Sequence, residues 1–373
     1  MRIVHISTIH RALDIRIFYK ECRSLAKNGY EVHLLIPNPS HTELEGVFFH
    51  AIDKVTTIPR LQRTWRRLNS AYQLAVSLNA DIYHFHDPEL IPVGILLKRL
   101  GAKVIYDVHE NTAWEAISLH KRYPVVGWLK FGIWTFLESL AKVMLDAFIC
   151  VTPAIGQKFP PTKTFVVYNF PLTEEFQDFN HNISYCERPN NIAYVGGITK
   201  IRAIREMVCA MELLAPSLRT KLMLIGEFSS PELQTEVEQL LGWEQVKFFG
   251  WQSRSDVVQY LAKARLGLVI FHPERDHLEA LPNKLFEYMA AGLPVIASNF
   301  PLWREIVQQI DCGLLVNPLK PKEIAQAIQY LLEHPEEAEA MGKRGYEAVT
   351  SQYNWETESE KLLNLYKQLQ KQR

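Results

Sequence analysis

The chain predicts an α/β fold of two doubly wound, Rossmann-like domains. Three observations carry this. Short β-rich runs recur along the 373 residues, with amphipathic helical segments between them. Several runs are apolar throughout, as strands buried on both faces of a parallel sheet should be. The alternation also occurs twice, on either side of a polar, Asn-rich interruption.

In the first half the strands are read at RIVHIS from Arg2, EVHLLIP from Glu31, VFFHAI from Val47, DIYHFHD from Asp81, KVIYDVHE from Lys103, AFICVT from Ala147 and TFVVYN from Thr164. In the second half they are NIAYVGG from Asn191, KLMLIGE from Lys221, VKFFGW from Val246, LGLVIFH from Leu266, PVIAS from Pro294 and GLLVN from Gly313. The segments between them, such as FYKECRSLAKNG and REMVCAMELLAP, are amphipathic and close on Gly or Pro. The expected organisation is a first domain over 1–172, a linker over 173–190, a second domain over 191–352 and a polar terminal helix over 353–373.

Composition narrows the class. The chain is 47% hydrophobic and 22% charged, with a net charge of zero. Residues 1–172 carry 20 Lys+Arg against 14 Asp+Glu, and the rest 21 against 27. A basic first half and an acidic second half suggest domains with different partners. The five cysteines are scattered and form no C-x-x-C, so neither a zinc knot nor a disulfide framework is signalled. MRIVHIS is too short and polar for a signal peptide and reads as a buried strand. The apolar run from Pro124 is broken by Lys130, Glu138, Lys142 and Asp146, which argues against a membrane span. A cytoplasmic protein is expected, with no nucleic-acid partner, since no fold signature for one is present.

Doubly wound sheets bind ligands outside the carboxyl ends of their strands, here in a cleft between the domains. In YVGGITKIRAIREMV, Gly196 and Gly197 end a strand and let a ligand approach the backbone. The helix that follows, with Lys200, Arg202 and Arg205, favours an anion.

The stretch LEALPNKLFEYMAAGLPVIAS holds Glu279 and Glu287 with seven residues between them. Pro282 is read at the first helical position, which makes Leu281 the cap, and leucine accepts nothing from the helix amides. The amides of Asn283 and Lys284 then remain for an anion, with the Lys284 charge beside them. Glu279 falls in the preceding loop, read as PERDHLEAL, and Glu287 about one and a half turns into the helix. The two acids therefore do not form a metal pair on one face. They suit hydroxyls on two parts of one ligand, with phosphates between. Each alone would be an ordinary solvated acid.

In the first half, His109 and Glu110 end one strand, while His84, His86 and Asp87 end another. The loop STIHRALDIRIF offers His10, Arg11, Asp14 and Arg16 to a phosphate or an acceptor. No D-x-D occurs, so no metal site is expected for a nucleotide diphosphate. Arg60, Arg63, Arg66 and Arg67 cluster around Trp65, as on a helix lying on an anionic membrane or on an ordinary solvated one.

Taken together, YVGG…R…REMV, FFGW and E-ALPNKLF-E-YMAAGLPVIAS resemble the second domain of retaining glycosyltransferases of the GT-B fold, in the large family four. LDIRIFYKECRSLAKNGYEVHLL and HDPELIPVG…VIYDVHE are similar to the first domain of its bacterial polysaccharide branch. The match runs from about residue 2 to 365. It implies that the terminal helix packs back on the first domain. It also implies that Glu279 and His109 act at the transferred sugar and that Glu287 holds the ribose. Gly196, Gly197, Arg202, Leu281, Asn283 and Lys284 would form the donor and diphosphate site, with Arg16 and His86 on the acceptor or phosphate side. No cofactor is implied beyond the donor, best guessed as UDP-glucose. GDP-mannose and a UDP-N-acetylhexosamine are alternatives. The acceptor would be a glycan or lipid-linked saccharide, at the inner face of the membrane. The family's Arg after the first glycine is replaced here by Gly197, so the charge must come from Arg202, Lys284 or Arg16. Its first-loop Gly-Gly is absent from IHRALDIR. A GT-B epimerase acting on a UDP-sugar and a non-catalytic sugar-nucleotide partner are the competing readings.

Overall fold

The computed structural model describes residues 1–53, 59–109, 124–177 and 184–372. These form two compact units, one of residues 1–169 with 358–373 and the other of residues 170–357.

The strands of the first unit are β1 (Arg2–Ile6), β2 (Glu31–Pro37), β3 (Glu43–Leu44), β4 (Val47–Ile52), β5 (Ile82–Phe85), β6 (Lys103–Val108), β7 (Ala147–Cys150) and β8 (Thr164–Val166). They lie in the order β3-β4-β2-β1-β5-β6-β7-β8. All pairings are parallel except β3 with β4. Strands β5 and β7 are buried at every residue; β7 accordingly reads as an unbroken apolar run, and β5 as one interrupted only by the buried His84. On one sheet face, Val4, Tyr83, Phe85, Tyr106 and Phe148 meet Ala71, Ala75, Leu97 and Ala141 from the covering helices.

The second unit holds β9 (Asn191–Val195), β10 (Lys221–Ile225), β11 (Val246–Gly250), β12 (Leu266–Val269), β13 (Val295–Ser298) and β14 (Gly313–Val316). This sheet is wholly parallel, in the order β11-β10-β9-β12-β13-β14. Its core joins Ile192, Tyr194, Leu224 and Leu268 to Met207, Met211, Ile324 and Ile328 from the helices.

Each sheet has one point where the strand order turns. It lies between β1 and β5 in the first unit and between β9 and β12 in the second. Loops leaving these strands diverge to opposite sides and open a crevice. The loops after β1, β5, β9 and β12 contain His10, Arg11, His86, Asp87, Gly196, Gly197 and Glu279; His109 follows β6, and Arg16, Lys284 and Glu287 lie on the helices that come after such loops. The terminal helix Trp355–Lys371 joins the first unit from Glu358 onward, and its Tyr366 is fully buried there.

Candidate functional site

Around the turning point of the second sheet, two glycines face two cations. Gly196 has φ of +123°, a conformation that L side chains rarely adopt. A Cβ there would lie 3.6 Å from Lys284 Nζ, and one on Gly197 would lie 3.1 Å from Arg202 Nη1. Glycine at 196 is thus required by its backbone conformation, while at 197 the missing side chain is what gives the Arg202 guanidinium room.

The position of Lys284 follows from its helix. The helix Asn283–Ala290 is pressed on the sheet because Gly267 of β12 has no side chain; a Cβ there would meet the Tyr288 ring at 2.2 Å. The Tyr288 hydroxyl accepts from the Val195 amide at 2.8 Å, which ties the helix to the end of β9. Trp303 Nε1 donates to Ala280 O at 2.7 Å and fixes the loop before the helix.

Lys284 is buried, and its ammonium sits 3.7 Å from the centre of the Tyr194 ring. It has no hydrogen-bond acceptor among the described residues. Burial, and then the Arg202 charge, hold its pKa well below the usual lysine range, with Glu287 opposing. Arg202 donates to Gly197 O at 3.2 Å and lies 5.6 Å over the Phe271 ring. The result is a cationic, aromatic-walled crevice suited to an anion.

The two glutamates have different surroundings. Glu279 closes a short helical turn, Arg275–Leu278, within what was read as a loop. Its side chain is 52% exposed, with Arg275 at 3.7 Å. Glu287 is buried, and its Oε1 lies 2.7 Å from Arg254 Nη1. Arg254 also donates to Glu175 at 2.7 Å. Burial works against charge on Arg254, but Glu287 and Glu175 outweigh it and raise its pKa. The helix begins one residue later than expected, so Pro282 rather than Leu281 is the cap. No side-chain cap accepts from the first turn of this helix, so its leading amides have no such acceptor.

The first unit treats charge differently. Asp107 at the end of β6 takes Arg16 in a two-point pair, 2.8 Å from Nε and 2.9 Å from Nη2. It also meets His109 Nε2 at 2.9 Å and His86 Nδ1 at 3.2 Å. Burial alone would raise the Asp107 pKa; Arg16 and His109 hold it well below the usual carboxylate range. Arg16 is 3% exposed and also donates to Val167 O, so its guanidinium is committed inside the unit rather than open to a ligand phosphate. Glu21 Oε1 lies 3.1 Å from Arg16 Nε, yet neither Glu21 oxygen accepts a hydrogen bond among the described residues. Burial and the Asp107 charge push the Glu21 pKa far up, with Arg16 opposing.

His86, 3% exposed, is likewise not at the surface. A chain of hydrogen bonds runs through it. His84 Nδ1 is 2.8 Å from the Tyr366 hydroxyl, which is 3.3 Å from His5 Nε2. His5 Nδ1 is 3.0 Å from His86 Nε2. One direction of donation, from His84 toward Asp107, satisfies every link with all three imidazoles neutral. Burial favours that state: it lowers His5 and His84 well below their ordinary values and His86 to about 4. His5, Glu21, His84 and His86 also bring ligand-type atoms within 4.8 Å of one another. A cation could use them only by breaking this chain.

His109, half-buried, and His10 face each other with ring centres 5.4 Å apart. His10 Nδ1 lies 3.0 Å from Asp87 Oδ1. Beside His10, a cavity of about 400 Å³ is lined by Thr8, Arg11, Asn38 and Arg67. Glu110 falls outside the described residues. Arg254, Asp107 and the Tyr194–Phe271 walls were not identified from the sequence. Asp107 left one trace, as an acid inside the apolar run KVIYDV.

Residues 176–348 match the family described as Glycosyl transferases group 1, and residues 16–170 match Glycosyltransferase Family 4. The chain is a GT-B glycosyltransferase. It is 24% identical to the N-acetyl-alpha-D-glucosaminyl L-malate synthase of Bacillus anthracis over 92% of this chain and 90% of that protein. Sucrose-phosphate synthase from Thermosynechococcus elongatus shares the fold with a TM-score of 0.78, at 19% identity and full coverage of both chains. Anabaena HepE, solved in complex with UDP-glucose, does so with a TM-score of 0.74 at 14% identity, again with full coverage of both.

Proposed function

We propose that this glycosyltransferase moves a hexose from UDP-glucose, with retention and without a metal, to a glycan or lipid-linked saccharide in bacterial polysaccharide synthesis. The observation that carries the donor reading is the Lys284 ammonium, buried without an acceptor against Gly196 and beside Arg202. A diphosphate supplies the missing negative charge. Lys284, Arg202 and the free amides of Asn283 and Lys284 then form a fixed electrostatic site for the leaving group. With two protein cations at this point, the leaving diphosphate is stabilised without a divalent ion.

Glu287, already oriented by Arg254, accepts from the ribose hydroxyls. Glu279 and His109 serve the transferred sugar. In the transfer, the bond from the sugar's anomeric carbon to phosphate oxygen breaks and a bond to the acceptor oxygen forms on the same face. The acceptor's proton passes to the departing phosphate. Glu279, exposed and beside Arg275, is a hydrogen-bonding group rather than a nucleophile. The acceptor enters the first unit's cavity at His10 and Arg11, and its cationic lining suits an anionic group on that molecule.

Relatives are named for, or solved with, different donors, among them UDP-glucose, N-acetylglucosamine and GDP-mannose. HepE is complexed with UDP-glucose, whereas the Bacillus relative is named for N-acetylglucosaminyl transfer. A thermal-shift screen with UDP, GDP and their sugars separates them, because only a ligand preferring the folded state raises the midpoint. UDP and UDP-glucose should raise it selectively. A rise with UDP-N-acetylglucosamine alone moves the donor, and no rise with any nucleotide ends the reading. Glu279→Ala and Arg202→Ala should abolish transfer, and EDTA should leave it intact. Consumption of the UDP-sugar without an acceptor, giving a sugar of altered configuration, would favour the epimerase.

A further inference from the structure

The helix Pro124–Met144 packs Leu137 and Ala141 into the first unit's core, yet its outer side is apolar. Val125, Leu129, Ile133, Phe136, Leu140 and Val143 follow one another three or four residues apart and are 37 to 80% exposed. They form a stripe along the whole helix. Trp128, 57% exposed, widens it. None of the helix's charged residues is exposed: Lys130 and Lys142 are half-buried and Glu138 is buried. A solvent-facing side normally carries charge, and a continuous apolar patch marks an interaction surface. No described helix is long and apolar enough to cross a membrane.

The neighbouring surface indicates the occupant. Helices Arg60–Leu78, Ile91–Arg99 and Pro124–Met144 cover the same sheet face, and the middle one touches both others. The first of them exposes Trp65, at 67%, and Arg66 beside it. Residues 1–172 also hold six more basic than acidic groups. Aliphatic and aromatic side chains in a positively charged layer suit an anionic lipid surface. Their chains enter the headgroup boundary while arginines meet phosphates. A second copy would instead bring positive charge against positive charge.

We propose that the Pro124–Met144 helix docks the chain on an anionic bilayer, with Trp65 and Arg66 as flanking contacts. Only the nature of the surface is assigned, so the idea stands apart from donor and acceptor identity. The test is flotation of the full chain with phosphatidylcholine vesicles, with and without phosphatidylglycerol. Binding should require phosphatidylglycerol and weaken with salt. The double variant Ile133→Glu/Phe136→Glu should lower partitioning at least about tenfold. It should keep the wild-type melting temperature and nucleotide response. Arg63→Glu/Arg66→Glu should lower it about fivefold per charge, on anionic vesicles only. Failure of the wild type to float, or flotation of the Ile133/Phe136 variant like wild type, overturns the proposal. So does a wild-type dimer in sedimentation velocity that this variant converts to monomer, since the stripe would then face a second copy.

Discussion

In the first unit the Arg16 guanidinium is buried against Asp107, whereas in the second the Lys284 ammonium is buried with no carboxylate in contact. Both lie on helices that follow strands at the turning point of their sheet; Lys284 was read from the sequence as a phosphate ligand and Arg16 as a ligand of a phosphate or an acceptor. Arg16 is matched from within, so its charge is already spent. Lys284 stands beside a second cation, and Glu287, which favours its charge, is itself held by Arg254. A buried charge with an internal partner supports structure; one without a partner is an energetic cost that a ligand removes.

The largest expected effect tests the matched side. Arg16→Met leaves Asp107 buried without its main counter-charge. Breaking such a pair costs about 3–5 kcal/mol. Denaturant unfolding, followed by hydrogen exchange in β1 and β6, should show that loss confined to the first unit. An unchanged midpoint would mean that Asp107 gains its stabilisation from His109 and His86 instead.

On the unmatched side the same kind of change should act in the opposite sense. Lys284→Met should leave stability equal or higher, while UDP affinity falls by about 2 kcal/mol, roughly thirtyfold, as expected for a lost charge-assisted bond. The pH dependence follows from the lowered pKa. Between that value and the ordinary one near 10.5, the unfolded chain binds a proton at Lys284 that the folded chain does not. Stability of the free protein therefore rises with pH over this window, and Lys284→Met should flatten the rise. Binding of UDP should take up a proton, visible by calorimetry in buffers of different ionisation enthalpy. Equal proton uptake in the variant would place the titrating group elsewhere.

The contrast also shows what a sequence can reveal. Thirteen of the fourteen described strands were legible: central strands buried on both faces leave near-continuous apolar runs, and partly exposed ones such as VFFHAI and VKFFG are still rich in β-formers. The missed one, Glu43–Leu44, is two residues long and has no periodicity to read. Gly196, Gly197 and Lys284 were legible because glycine and helix-start chemistry are local. What charges do to one another was not. Arg16 and Asp107 lie 91 positions apart, and His84 and Tyr366 lie 282 apart. Such meetings are set by packing, and so Arg16 could be recognised as a cation but not as one already paired. The same holds for Glu287, whose partner Arg254 lies on another helix.

The smallest expected effect concerns His10, the partly matched case between the two. Burial alone would lower its pKa, but the hydrogen bond and charge of Asp87 more than offset this and raise it. The stabilisation is then fully present below the unfolded histidine value, near 6.5, and is lost as pH rises through the folded one. With the imidazole side chain 24% exposed, its worth should stay under about 1 kcal/mol. The difference in urea midpoint between wild type and His10→Gln should shrink between about pH 5.5 and pH 8. A difference that stays constant would mean that His10 contributes through the Ser7 hydroxyl rather than through charge, since that bond needs no protonated ring. His10 would then belong with the fixed scaffold and not with the groups able to respond to an anionic acceptor in the adjoining cavity.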